Sequence, residues 1–191
     1  MRYKPGKHRL PPFTGYGIML VDKPILWTSF DVVNFVRNRF NVPKVGHCGT
    51  LDPAATGLLV LVLGKFTSYS EKLSGEDKCY EADMLLGVET SSGDIDGEVT
   101  SRKDPSQITE ELLRSTLAGF IGEQMQTPPM VSAVKVDGKK LGVGAMLTNL
   151  RRTRSGKFDI ANALTIEQIK EFSQEDLGAY LARGLTLLMK G

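Results

Sequence analysis

Residues 44–63 read Lys44-Val-Gly-His-Cys-Gly-Thr-Leu-Asp-Pro-Ala-Ala-Thr-Gly-Leu-Leu-Val-Leu-Val-Leu63, and the change of character at Gly57 decides how the chain is read. Up to Gly57 the stretch has no clean period and is dense in Gly, Pro and Thr, as expected of a loop with demanding backbone geometry. From Leu58 to Leu63 every residue is apolar, which predicts a strand buried on both faces. A polar loop abutting a rigid buried strand is a good mount for catalytic side chains. Within the loop, Asp52 precedes Pro53, whose ring disfavours helical geometry in the residue before it, so the carboxylate is displayed rather than packed. His47 lies in the same loop. The same residues also fit an Asx-turn with a surface histidine beside it, and composition alone leaves both readings open.

Outward from this stretch, strands and helices alternate without βαβ regularity, so an α+β fold is expected. Residues 17–22 read as a buried strand. Thr28 with Asp31 forms a capping-box pattern opening a helix to about Phe40, with Val32, Val33, Val36 and Phe40 on one face. Residues 78–88 alternate as a strand, Asp94 to Gly97 marks a turn, and Thr109 opens a helix carrying Leu112, Leu113, Leu117 and Phe120. Residues 131–136 predict a strand, and Asp137-Gly138 is a hairpin signal. The following Lys139 to Ala145 does not read as the partner strand. Residues 145–150 read as helical, 151–157 as a basic turn and 158–160 as a short strand. Thr165 and Ser173 open two further helices. Residues 1–16 read as a flexible basic arm, and 17–191 as one domain.

Composition narrows the classes. The 191 residues are 41% apolar, 7% aromatic and 24% charged, an ordinary globular balance. The longest apolar run is too short to span a bilayer, and the basic N-terminus lacks a signal core, so a cytoplasmic protein is expected. The two cysteines, Cys48 and Cys79, form no CxxC or Cys/His ligand set, which argues against a structural zinc site and a disulfide scaffold. No GxGxxG or Walker sequence occurs. Asp94 and Asp96 faintly resemble a calcium loop, but the spacing fails. Trp27 reads as a packing residue. The net charge of +2 hides strong segregation: +6 over residues 1–50, −8 over 51–138, +6 over 139–157 and −2 over 158–191. Two basic blocks brought together would make a face suited to phosphates, although solvated surface lysines would give the same count.

The run Lys44 to Gly57 resembles the active-site motif of the TruB-type tRNA pseudouridine synthases. Gly17-Ile-Met-Leu-Val-Asp-Lys-Pro24 is similar to that family's first strand. Lys78-Cys-Tyr80 with Leu86-Gly87, Thr90 and Asp94 is similar to its second motif, and Gln126 to Gly138 to its third. Leu141 to Ala145, Leu150-Arg-Arg-Thr153 and Gly156-Lys-Phe158 resemble its fourth. The resemblance covers roughly residues 15–170, with the motifs in the family's order.

The resemblance implies a base-flipping isomerase that converts one T-loop uridine of tRNA (family position 55) to pseudouridine without metal or organic cofactor, with residues 17–191 as the family's catalytic domain, a mixed, largely antiparallel sheet with flanking helices. Asp52 falls on the essential aspartate, whose carboxylate attacks as a nucleophile or abstracts a sugar proton. Tyr80 falls on the active-site tyrosine and Leu150 on an apolar pocket residue. His47 falls on a histidine that holds the flipped-out region. Gly49 and Thr50 belong to the same substrate-binding loop. Lys23, Lys44, Lys135, Arg151 and Arg152 are expected to contact tRNA phosphates. No obligate protein partner is implied and a monomer is expected, with no membrane association and no room for the family's C-terminal RNA-binding appendage.

The sequence departs from the family at one junction. The segment between the third and fourth motifs, with its Ser-Lys-Gly-Thr-Tyr-Ile-Arg motif, is absent at 140/141 or 141/142. With it go central strands, a second tyrosine and the arginine that pairs with the essential aspartate. The shortfall is either sequence missing from this stretch or a genuine deletion. A genuine deletion favours a catalytically impaired tRNA-binding or tRNA-folding protein.

Overall fold

The computed structural model describes residues 10–123, 125 and 145–189. They fall into two compact bodies, residues 10–81 with 149–189, and residues 82–123 and 125 with 145–148. The expected hairpin at 137–138, Lys135 and the 140–142 junction lie outside the described residues.

Strand β1 (Gly17–Lys23) pairs antiparallel with β3 (Thr56–Leu63) over its whole length, Gly17 opposite Leu63 and Lys23 opposite Gly57. A short β2 (Val45–His47) also runs antiparallel to β3, Val45 opposite Leu63. The loop read at 44–57 therefore begins with three residues of strand. Every residue of β3 from Gly57 to Leu63 is buried, as its uninterrupted apolar run requires. One face carries Leu59, Leu61 and Leu63 into the main core, and the other carries Leu58, Val60 and Val62 into a second cluster with Ile18, Leu20 and Phe158.

Helix α1 (Ser29–Phe40) covers the main core with Val32, Val33, Val36 and Phe40. Its capping box is complete: the Thr28 side chain accepts from the Asp31 backbone N–H, and the Asp31 carboxylate accepts from the Thr28 N–H at 2.9 Å. It ends at Asn41 in the left-handed conformation. Helix α2 (Ser70–Ser74) follows a 3₁₀ turn over 64–69. Strand β4 (Lys78–Leu86) comes next, mostly exposed.

In the second body, β5 (Val88–Thr90) and β6 (Val99–Arg102) form an antiparallel pair around the Asp94 turn. Asp94 spends one carboxylate oxygen on Ser92 and on the Asp96 N–H, which is turn chemistry. Helix α3 (Glu110–Ala118) is capped by Thr109 and leaves Leu112 and Leu117 exposed.

The expected helix at 145–150 and basic turn at 151–157 are corrected. Ala145–Ser155 is one strand, β7, pairing parallel with β3 through Thr56 opposite Arg151 and Gly57 opposite Arg152. Strand β8 (Phe158–Asp159) folds back antiparallel on β7. The first body's sheet, with order β1-β3-β7-β4 and β2 and β8 to the side, is mixed and mostly antiparallel.

Helices α4 (Ile166–Glu171) and α5 (Gln174–Met189) close the main core with Ile166, Ile169, Leu177 and Leu181. Residues 10–16 carry no regular structure but are tied down, Phe13 N–H to the Asn41 carbonyl and Gln174 to the Pro11 carbonyl. This part of the expected arm is anchored. Among the described residues no helix is long and apolar enough to cross a membrane.

Candidate active site

Asp52 sits at the exposed crest of the loop between β2 and β3. Its flanks are fixed. The Ser29 hydroxyl donates to the Leu51 carbonyl at 3.0 Å and accepts from the Leu51 N–H at 2.8 Å. The Leu26 N–H donates to the Pro53 carbonyl at 2.8 Å. The two neighbours of Asp52 are thus stitched to the segment entering α1, while its own carboxylate faces solvent. The sequence reading of a displayed carboxylate is what the backbone delivers.

The other side of the loop is braced by Arg152, which is only 2% exposed. The parallel register that sets Arg152 opposite Gly57 puts its guanidinium beneath residues 49–50. Nη2 donates to the Thr50 carbonyl at 2.8 Å, and Nη1 to the Gly49 carbonyl at 3.2 Å and, longer, to Leu58 at 3.5 Å. Nε donates to the Tyr80 hydroxyl at 3.1 Å, and the guanidinium lies 5.2 Å from the centre of the tyrosine ring. A fixed fork of donors meets several acceptors at once, which a point-charged ammonium could not do. Gly49 and Gly57 make the approach possible. Both have left-handed φ (+90° and +102°), and a Cβ on Gly57 would stand 2.3 Å from the Arg152 carbonyl oxygen.

Two of the residues expected to contact phosphates are buried. Arg152 spends its donors inside the protein. Lys23 is fully buried, and its ammonium binds the Pro24 carbonyl at 3.0 Å and the Trp27 carbonyl. Burial pushes Lys23 down to about 8, with the charges of Asp52 and Asp31 partly opposing the shift. Lys23 is therefore an interior cation within the field of Asp52. Among the described residues no arginine or lysine forms an ion pair with Asp52. Lys44 is exposed, and Arg151 is half-exposed and pairs with Asp22 at 2.8 Å.

Tyr80 is 45% exposed, with its hydroxyl held by Arg152 and its ring open to solvent. His47 is half-buried. Burial and the nearby Arg152 charge lower its pKa, against a raising contribution from a Gly49 backbone hydrogen bond, and its Nδ1 is buried without a partner. It is thus held neutral near pH 7. Leu150 packs partly buried against the main core. Cys48 is buried behind the loop, its thiol pushed by burial up to about 11, so it is no nucleophile. No group of three or more His, Cys, Asp or Glu side chains able to hold a metal occurs among the described residues.

Sequence reasoning missed Ser29, Leu26 and the interior use of Arg152. Strand alternation would have separated Arg151 from Arg152, since adjacent strand residues face opposite sides. Reading 145–157 as helix and turn hid that signal.

Comparison with known proteins agrees with this arrangement. The family model described as TruB family pseudouridylate synthase (N terminal domain) matches residues 37–180. The chain belongs to the TruB family. Among its relatives, tRNA pseudouridine synthase B of Opitutus terrae is 38% identical over 209 residues, covering 81% of this chain and 87% of that protein. The Endomicrobium trichonymphae protein of the same name is 48% identical over 125 residues, covering 65% of this chain and 54% of that protein. The TruB fold is also shared with the archaeal box H/ACA sRNP Nop10-Cbf5 complex: TM-score 0.63, 24% identity, 90% of this chain and 59% of that one.

Proposed function

We propose that this TruB-family chain isomerises a T-loop uridine of tRNA to pseudouridine, with Asp52 as the essential carboxylate and Tyr80 beside the uracil. The observation that carries this reading is the loop itself: a solvent-facing Asp52 whose flanking residues are hydrogen-bonded to Ser29 and Leu26, braced by an arginine that also holds Tyr80. The reaction must cleave the glycosidic bond, keep and turn the uracil, and rejoin it through carbon 5. A carboxylate on a loop with fixed flanks supplies a nucleophile or base, and the open aromatic face of Tyr80 a stacking surface. The relatives named tRNA pseudouridine synthase B support the substrate class. The target uridine must leave its stack to meet Asp52. His47, neutral at the base of the loop, and Leu150 would line its path. Lys44 and Arg151 would meet phosphates.

Tritium release from carbon-5-labelled uridine in tRNA tests this. Wild type should release tritium. Asp52→Asn should release none while still binding tRNA, and full activity in that variant would refute the assignment.

A second reading has its own support. The alignment to the Opitutus protein runs over 209 residues while drawing on 81% of a 191-residue chain, so many aligned positions have no counterpart here. The sequence reading puts the family arginine expected to pair with the aspartate in the segment absent near 140–142. On this reading the chain binds tRNA and assists its folding without turnover. Binding without tritium release would favour it.

A further inference from the structure

Residues 24–30, Pro-Ile-Leu-Trp-Thr-Ser-Phe, carry no charge. Part of the segment turns inward. Trp27 packs edge-on against Phe35 at 5.8 Å, and Ser29 is buried on Leu51. The remaining apolar residues do the opposite. Ile25 is 53% exposed, Leu26 75% and Phe30 58%.

Leu26 also has φ +68°. A leucine in the left-handed region is strained, and Gly or Asn would occupy it more easily. The strain is not repaid by burying the side chain. Its backbone N–H is instead fixed to the Pro53 carbonyl, one residue from Asp52. Strain held in place by hydrogen bonds beside a candidate catalytic loop, with an apolar side chain pushed outward, suggests a contact made only with a bound molecule.

We propose that Leu26, flanked by Ile25 and Phe30, is an apolar wedge that packs against an unstacked base of the RNA substrate, next to the nucleotide delivered to Asp52. This rests on the RNA-modifying reading above and adds a binding residue to it. Extruding one nucleotide leaves neighbouring base faces bare, and those faces are the apolar part of an otherwise anionic partner. The charge balance of the surrounding sequence suits an anionic partner. The first 50 residues hold eight Lys and Arg against two Asp and Glu, while the wedge itself is neutral. Hydrogen bonds to both neighbours of Asp52 make the wedge continuous with the candidate site.

The test uses the full chain with Leu26→Asn and Leu26→Met. Asn accepts the left-handed backbone and removes the apolar contact, whereas Met keeps it. Fluorescence anisotropy on a labelled T-arm stem–loop, tritium release and thermal melting are read together. Leu26→Asn should raise Kd and KM roughly tenfold, the loss of about one base-packing contact, with kcat nearly unchanged and a melting temperature equal to or above wild type. Leu26→Met should recover most of the binding.

Unchanged Kd in Leu26→Asn, or Leu26→Met binding as weakly as Leu26→Asn, overturns the wedge. So does altered self-association in sedimentation with unchanged RNA binding, which would make the patch a protein contact. If wild type binds the stem–loop but releases no tritium, the catalytic reading fails while the Kd comparison still decides the wedge. If wild type binds no RNA, both fall.

Discussion

Replacing Arg152 with methionine separates an internal brace from a phosphate contact. The side chain is 2% exposed and donates to the Thr50 and Gly49 carbonyls at 2.8 and 3.2 Å, with a longer contact to Leu58. Methionine keeps much of the aliphatic packing but leaves two carbonyls without their donors. An unsatisfied buried polar group costs about 1–3 kcal/mol, but both carbonyls are only part-buried and open to water once the donor is gone, so the two together cost roughly 2 kcal/mol. Removing a desolvated cation returns some of this, leaving a net loss of about 1–2 kcal/mol. For a chain of this size the melting temperature should fall by roughly 2–8 °C. Activity should fall mainly in kcat, because the loop carrying Asp52 and the hydroxyl of Tyr80 both lose their anchor. Thermal melting and tritium release with varied tRNA concentration measure the two effects. Arg152→Lys should fall between wild type and Arg152→Met, since one ammonium cannot reach all the acceptors. Arg151→Met, which breaks only the half-exposed pair with Asp22, should change stability by about 0–1 kcal/mol. A raised KM with unchanged melting in Arg152→Met would refute the brace and restore the phosphate contact.

Other predictions follow from the same geometry. Gly57→Ala should fold poorly or melt far below wild type, because its Cβ would stand 2.3 Å from the Arg152 carbonyl oxygen at φ +102°; a normal melt would contradict the close strand approach. Thr28→Ala removes the side-chain half of the α1 capping box and should cost about 1 kcal/mol, read by chemical denaturation. Burial holds Lys23 at about 8 against 10.5. Between those values the unfolded chain still holds a proton that the folded chain has released, so this group makes stability rise with pH. Lys23→Met should flatten that rise. The His47 pKa is lowered from 6.5, so its contribution to stability falls as pH drops below that value. Denaturation midpoints of a His47→Gln variant, set against wild type across that range, should show a shallower acid slope.

How much of this could be read beforehand depends on the kind of signal. The buried strand β3, the capped helices α1, α3 and α4 and the displayed Asp52 follow from local rules: an unbroken apolar run, Ser/Thr caps and a proline after the aspartate. Strand β7 did not, because Ala145 to Leu150 has neither a clean helical nor a clean strand period and its state is set by partners far along the chain. The burial of Lys23 and Arg152 was hidden for a related reason. Basic residues are counted as surface by default, and only the register opposite Gly57 reveals that one of two adjacent arginines must point inward. Leu26 carried no sequence cue at all, since its left-handed conformation is visible only in coordinates.

The parallel pairing of β3 with β7 has a consequence for synthesis. The Asp52 loop, its Ser29 lock and β1 all lie within the first third of the chain, so they leave the ribosome early. The arginine that steadies the loop lies about a hundred residues later and emerges well after the helices between them. A nascent chain therefore carries the Asp52 loop without its brace while about a hundred further residues are added, and the loop is steadied only once β7 has been made.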